Sequence, residues 1–226
     1  MKVTPTLFSA PMVRAILDGR KTMTRRILKP QPDFPPHPRG GIGFSALTPE
    51  RHYEIRGWTE EQGPLMRHRP LRFWRGDLLW VRETWARVHD NFDCDDPFCR
   101  HRFMFAADDQ GGNDELKWKP SIHMPRLASR LTLEVKSVKV ERIQDISDDD
   151  ALAEGVSKIK DHCYVIKGFG YDTAGLCHSR PTIPFAILWK HLNGEEAWEA
   201  NPYVVAVTFK THQCNVDDFL KQREAA

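Results

Sequence analysis

Gly19-Arg20-Lys21-Thr22-Met23-Thr24-Arg25-Arg26 is the stretch on which the reading of this chain turns. It follows Pro11-Met12-Val13-Arg14-Ala15-Ile16-Leu17-Asp18, in which Val13, Ile16 and Leu17 share one helical face. Ser9 or Ala10 stands at the cap, Pro11 falls in the first turn and Gly19 follows the last turn, the order expected of a short helix. Thr6 to Ser9 reads as a short strand before it. Residues 20–28 read as an extended cationic segment, with Thr22, Thr24 and Ile27 as strand formers. Alternate side chains of a strand face opposite ways. Thr22, Thr24 and Arg26 then share one side and Lys21, Met23 and Arg25 the other, unless the turn releases Lys21 from the alternation. The P-loop spacing is absent. On its residues alone the segment reads equally as a solvated basic face.

Working outward, Gly76-Asp77 reads as a turn and Leu78 to Trp85 as a strand. Arg130 to Ile143 alternates through Leu131, Leu133, Val135, Val138 and Val140, and the slip between 135 and 138 predicts a bulge or bend. Ser147-Asp148-Asp149-Asp150 opens a helix with its acids well placed for the N-terminal dipole. A further helix runs from Thr182 through Leu192 and ends at Asn193-Gly194; Tyr203 to Phe209 is the last strand. Three segments rich in Pro, Gly or polar residues, 29–75, 88–116 and 157–180, read as excursions, the first partly anchored by Tyr53, Ile55 and Trp58. No internal repeat is present. The expected architecture is α+β: one domain over 1–226, built on a small, mostly antiparallel, barrel-like sheet with short flanking helices and those three insertions.

Composition sets limits on function. Apolar residues make up 40% and charged residues 28% of the 226, which excludes a disordered polyelectrolyte and a membrane-embedded chain. No apolar run approaches the ~20 residues of a membrane-spanning helix, and Met1 to Pro5 has no leader-like apolar stretch, so a cytoplasmic protein is expected. The net charge of +2 conceals segregation: residues 1–30 hold seven Lys/Arg against Asp18 alone, and 117–142 hold seven against Glu134 and Glu141. Such stretches fit either a polyanion site or solvated faces.

Gly19-x-Lys21-x-x-Thr24-x-Arg26 resembles the signature of the ASCH domains, a branch of the PUA-like superfamily. Gly76 to Trp85, Leu131 to Val135 and Asn201 to Val207 fit the layout of that family. Leu7 to Val13, Lys117 to Arg126 and Glu199 to Pro202 resemble a longer set of these proteins associated with phages and prophages. The resemblance implies a small β-barrel with a cleft beside the signature strand and a ligand that is RNA or a modified nucleoside. It further implies, for the hydrolytic members, removal of the acyl group from N4-acylated cytidine by a Lys, a Thr and a Glu. The matching residues here are Lys21, Thr24 and Glu134. The chemistry is coherent: Thr24 as nucleophile, Lys21 as base if burial and a neighbouring Arg lower its pKa, Glu134 to place water or pass a proton. Glu134 reads equally as a cross-strand ion pair. The active small members are about half this length, and a shared fold does not transmit activity, so a non-catalytic module that binds RNA or a modified base is the alternative.

Further ligand contacts are expected from Arg25, Arg26, Trp80, Arg82, Trp85, Lys119, His123 and Arg126. Trp80 and Trp85 lie five apart and face opposite sides of a strand, one in the core and the other at the edge of the cleft, where an aromatic beside Arg82 can stack a base. Lys117 to Arg130 is a basic, aromatic-bearing loop suited to phosphates. No nicotinamide or flavin fingerprint occurs, and no cofactor is expected. Cys94, Cys99, Cys163 and Cys177, with His101, His162 and His178 nearby, read either as free thiols or as ligands of a tetrahedral zinc.

Overall fold

The computed structural model describes residues 1–32, 71–87, 103–109, 116–169 and 177–225, together with the backbone of strands at 43–45, 52–59 and 63–70. The chain is α+β. Its main sheet is built from β1 (Val3–Leu7), β2 (Met23–Ile27), β6 (Leu78–Arg82), β9 (Thr132–Arg142) and β12 (Tyr203–His212), in the order β1-β6-β9-β12-β2. β1 pairs with β6 in parallel, and the other three pairings are antiparallel. Among the described residues no backbone ladder joins the edge strands β1 and β2. Instead the Arg26 guanidinium donates to the Leu7 carbonyl at 2.7 Å.

Alternation explains the layering. On β6, Leu79 and Val81 enter the central core beneath helix α1 (Ala10–Leu17), with Val13 and Ile16, whereas Leu78 and Trp80 face the opposite side and meet Val216 and Phe219 of α4 (Val216–Glu224). β12 is likewise covered on both faces, Val205, Val207 and Phe209 in the central core and Val204 against α3 (Thr182–Asn193). Strands buried on two faces read as continuous apolar runs, which Leu78–Val81 and Tyr203–Val207 do. The slip in β9 is a bulge: Thr208 opposes Ser137 and Phe209 opposes Val135, so Lys136 is the extra residue.

Two excursions carry more order than their composition suggests. Within 29–75, β3 (Gly43–Ser45), β4 (His52–Thr59) and β5 (Gly63–Pro70) form an antiparallel sheet in the order β3-β4-β5. Pro64 and Pro70 are tolerated because β5 is an edge, where a missing N–H breaks no second ladder. Within 157–180, β10 (Ser157–Lys160) and β11 (Cys163–Val165) make a hairpin. β7 (Trp85–Arg87) and β8 (Phe103–Phe105) pair as a further two-stranded ribbon. Among the described residues no helix is long and apolar enough to cross a membrane.

Candidate functional site

The turn after α1 docks on the end of α2 (Asp148–Ala153). Lys21 N–H donates to the Ala15 carbonyl at 2.9 Å and Thr22 N–H to the Ala153 carbonyl at 2.8 Å, and Lys21 pairs with Glu154 as a single bridge. Lys21 shares a side with Arg25, as the alternation through 21, 23 and 25 places it, and both meet Glu154. Helix α2 begins at Ser147, whose hydroxyl accepts the Asp150 N–H, and closes with Gly155 at φ +106°. Gly155 N–H returns to Leu152 O and Val156 N–H to Ala151 O, a Schellman close that only glycine enters without strain. A Cβ on Gly155 would also meet Lys21 Cβ at 3.5 Å. The helix end therefore delivers Glu154 against the start of β2.

Three cations and three carboxylates interlock there. Lys21 Nζ lies 2.6 Å from Glu154 Oε2 and 2.9 Å from the Glu154 carbonyl oxygen, with the two side chains 1% and 4% exposed. Arg25, whose side chain is fully buried, reaches Glu154 at 3.2 Å, Glu141 at 2.7 Å and Asp150 at 2.6 Å. Lys139 closes the circuit on Glu141 at 2.7 Å and Asp150 at 3.2 Å. Burial lowers the Lys21 ammonium below the ordinary lysine value even though the Glu154 charge and hydrogen bond pull it up. Partial burial pushes the Asp150 carboxyl up, but its Lys139 hydrogen bond and the Arg25 charge outweigh that and hold it below the ordinary 3.8.

The Asp150 shift predicts a pH dependence. A depressed folded pKa contributes stability above the unfolded value, and that stability is lost as pH falls through the folded one. Urea unfolding midpoints are expected to drop as the pH falls below the ordinary aspartate value of 3.8, and Asp150→Asn is expected to flatten that drop. An unchanged slope in the variant would refute the assignment.

This cluster forms one end of a cleft of about 620 Å³ between β2, the start of α1 and α3. Thr24, Arg25 and Glu154 are on its wall, and Lys21 lies behind them. Among the described residues no hydrogen bond engages the Thr24 hydroxyl. Phe8, Met12, Phe185, Leu188 and Trp189 supply apolar wall, and Arg26, Lys29 and Arg72 line the cleft as well. Arg26 lies over the Phe8 ring, 5.3 Å from its centroid.

Thr24, Arg25 and Arg26 thus share the cleft wall, and Lys21 reaches that wall through Glu154. Glu134 does neither. β12 lies between β9 and β2, and Glu134 sits opposite Lys210, beyond the last β2 pairing of Met23 with Thr208. Its carboxylate is held by Lys136 of the same strand at 2.8 Å and meets His212 of β12 at 3.3 Å. The carboxylate beside Lys21 is Glu154. Its signal in the sequence is Ala153-Glu154-Gly155-Val156, an acid just ahead of a helix-closing glycine.

The remaining expected contacts lie elsewhere. Trp80 and Trp85 are both buried, the first under α4 and the second with Met124 and Ala128. Both face core, because the Leu78 to Trp85 segment breaks after Arg82 and β7 sets off separately. Arg82 donates to the Ile122 and Met124 carbonyls and covers Trp80. Lys119 lies over Trp85, Arg126 pairs with Asp217, and His123 is exposed; none of these lines the cleft. The basic stretch 117–142 is largely neutralised in place, through Arg126–Asp217, Arg130–Glu83, Lys136–Glu134 and Lys139–Glu141.

Cys163 and Cys177 are joined by a disulfide, their Cα atoms 4.9 Å apart, and are neither free thiols nor zinc ligands. The pairing of Tyr164 with His178 brings them side by side. Cys94, Cys99 and His101 lie outside the described residues. Among the described residues no group of three or more His, Cys, Asp or Glu side chains is placed to hold a metal ion. Comparison of the chain with protein-family models, with curated proteins and with solved structures finds no match.

Proposed function

We propose that the chain is an ASCH-type amidohydrolase that removes the acyl group from N4-acylated cytidine, with Lys21, Thr24 and Glu154 as its catalytic set. The observation that carries this reading is the buried Lys21–Glu154 pair, whose Glu154 lines the same cleft as a Thr24 hydroxyl with no hydrogen bond among the described residues. The Thr24 oxygen attacks the amide carbonyl and its proton passes to the Lys21 amine. The bond to N4 breaks as Lys21 returns the proton to the leaving cytosine amine. Water, positioned by Glu154, then cleaves the acyl-Thr24 ester and releases the carboxylic acid. Arg25 anchors Glu154 and is a positioning residue. The apolar wall of Phe185 and Trp189 suits the flat face of a base.

Chromatography of N4-acetylcytidine incubated with the protein tests the reading. Cytidine release is expected, reduced by about 10³-fold or more in Lys21→Ala. The rate is expected to rise with pH through an apparent value below the ordinary lysine 10.5, because the base form of Lys21 is the reactive one. A flat profile together with an active Lys21→Ala protein would reject it. The alternative, a module that binds RNA or a modified base without turnover, is favoured by the cations along the cleft. It predicts affinity that falls steeply with salt and no released cytidine.

A further inference from the structure

Arg26, Lys29 and Arg72 stand apart from the chain's other clustered cations. Lys21, Arg25 and Lys139 are matched by Glu141, Asp150 and Glu154, and the 117–142 stretch is largely paired locally. Arg26, Lys29 and Arg72 line one cleft, and among the described residues no carboxylate forms a salt bridge with any of them. Among the described residues Arg26 makes a single hydrogen bond, from Nη2 to the Leu7 carbonyl, and its guanidinium lies over the Phe8 ring. Its other N–H donors are left for a ligand. Arg72 and Lys29 are exposed and stand at the solvent edge. The Ser9 hydroxyl, on the same wall, is screened from solvent and has no hydrogen-bond partner among the described residues. Glu154, on the same wall, partly offsets the Arg26 charge, but it is already paired with Lys21 and Arg25; the Arg26–Arg72 repulsion is relieved further by an anion. Guanidinium groups match phosphate oxygens in pairs.

We propose that the ligand of this cleft carries a phosphate, held at the mouth by Arg26, Lys29 and Arg72, so that the substrate is a nucleotide or a nucleotide within a strand and not a free nucleoside. The proposal rests on the nucleoside reading above. It adds a direction: the base points inward toward Thr24 and the apolar wall, and the sugar-phosphate faces solvent.

Calorimetric titration of the full chain compares N4-acetylcytidine, its 3′,5′-bisphosphate and a pentaribonucleotide with N4-acetylcytidine at its centre. The bisphosphate is expected to bind at least about tenfold tighter than the nucleoside at low salt. That ratio is expected to fall toward one in Lys29→Gln/Arg72→Gln, whose exposed positions leave the fold intact by circular dichroism. A pentanucleotide tighter than the bisphosphate identifies a strand, and equal affinities identify a mononucleotide. Equal binding of nucleoside and bisphosphate, a preference untouched by the double variant, or no binding of any probe overturns the proposal. Phosphate-dependent binding without cytidine release would keep this site and reject the hydrolase. Turnover of the nucleoside with no phosphate preference would do the reverse.

Discussion

Glu154→Ala is expected to lower the free energy of unfolding by about 3–5 kcal/mol, a large share of the ~5–15 kcal/mol that holds a domain together. The substitution removes one partner of a buried pair and strands the other. Lys21, 1% exposed, would keep only the Glu154 main-chain carbonyl, 2.9 Å from its Nζ. Arg25 would lose one of its three carboxylates. Glu154→Gln retains an acceptor oxygen and should be milder. A Lys21→Met/Glu154→Leu double variant should recover much of the loss, because removing both charges leaves neither unpaired. Urea midpoints of the four proteins measure this. A Glu154→Ala protein within about 1 kcal/mol of the parent would show that the pair is not buried as described.

Arg25→Ala should be comparably damaging, with a pH signature that Glu154→Ala lacks. Glu141, Asp150 and Glu154 converge on this one guanidinium. Without it they repel one another, and the Asp150 carboxyl, which the Arg25 charge helps hold low, rises. A raised folded pKa favours the native state below the unfolded value, and that advantage is lost as pH rises through the folded one. The deficit is therefore expected to be about 3–5 kcal/mol at neutral pH and to shrink as the pH approaches the ordinary carboxylate range near ~4. Thermal melts across that range test it. A deficit that stays constant or grows toward acid pH would contradict convergence on Arg25.

The local elements were legible because their signals are local. The Pro11 and Gly19 punctuation bounds α1, the slipped alternation in 135–138 marks the β9 bulge, and Ser147 caps α2. The order of strands is not a local property. β12, last in the chain, inserts between β9 and β2, and that insertion separates Glu134 from the signature strand. Glu154 stands 133 residues from Lys21 and meets it only because Gly155 turns the chain at the end of α2. The sheet formed by β3, β4 and β5 was masked by its prolines, and α4 by a sequence whose only buried anchors are Val216 and Phe219. The basic runs were visible, but their partners were not: Asp217 meets Arg126 from 91 residues away.

Neutralising Glu154 and Glu134 one at a time decides which carboxylate serves the chemistry. Cytidine release from N4-acetylcytidine is followed for the parent, Glu154→Gln and Glu134→Gln under one condition. Turnover by the parent is expected, with a loss of about 10³-fold or more in Glu154→Gln and a rate within about twofold of the parent in Glu134→Gln. Turnover that survives in Glu154→Gln and disappears in Glu134→Gln, or no cytidine released by the parent itself, would contradict the Glu154 assignment.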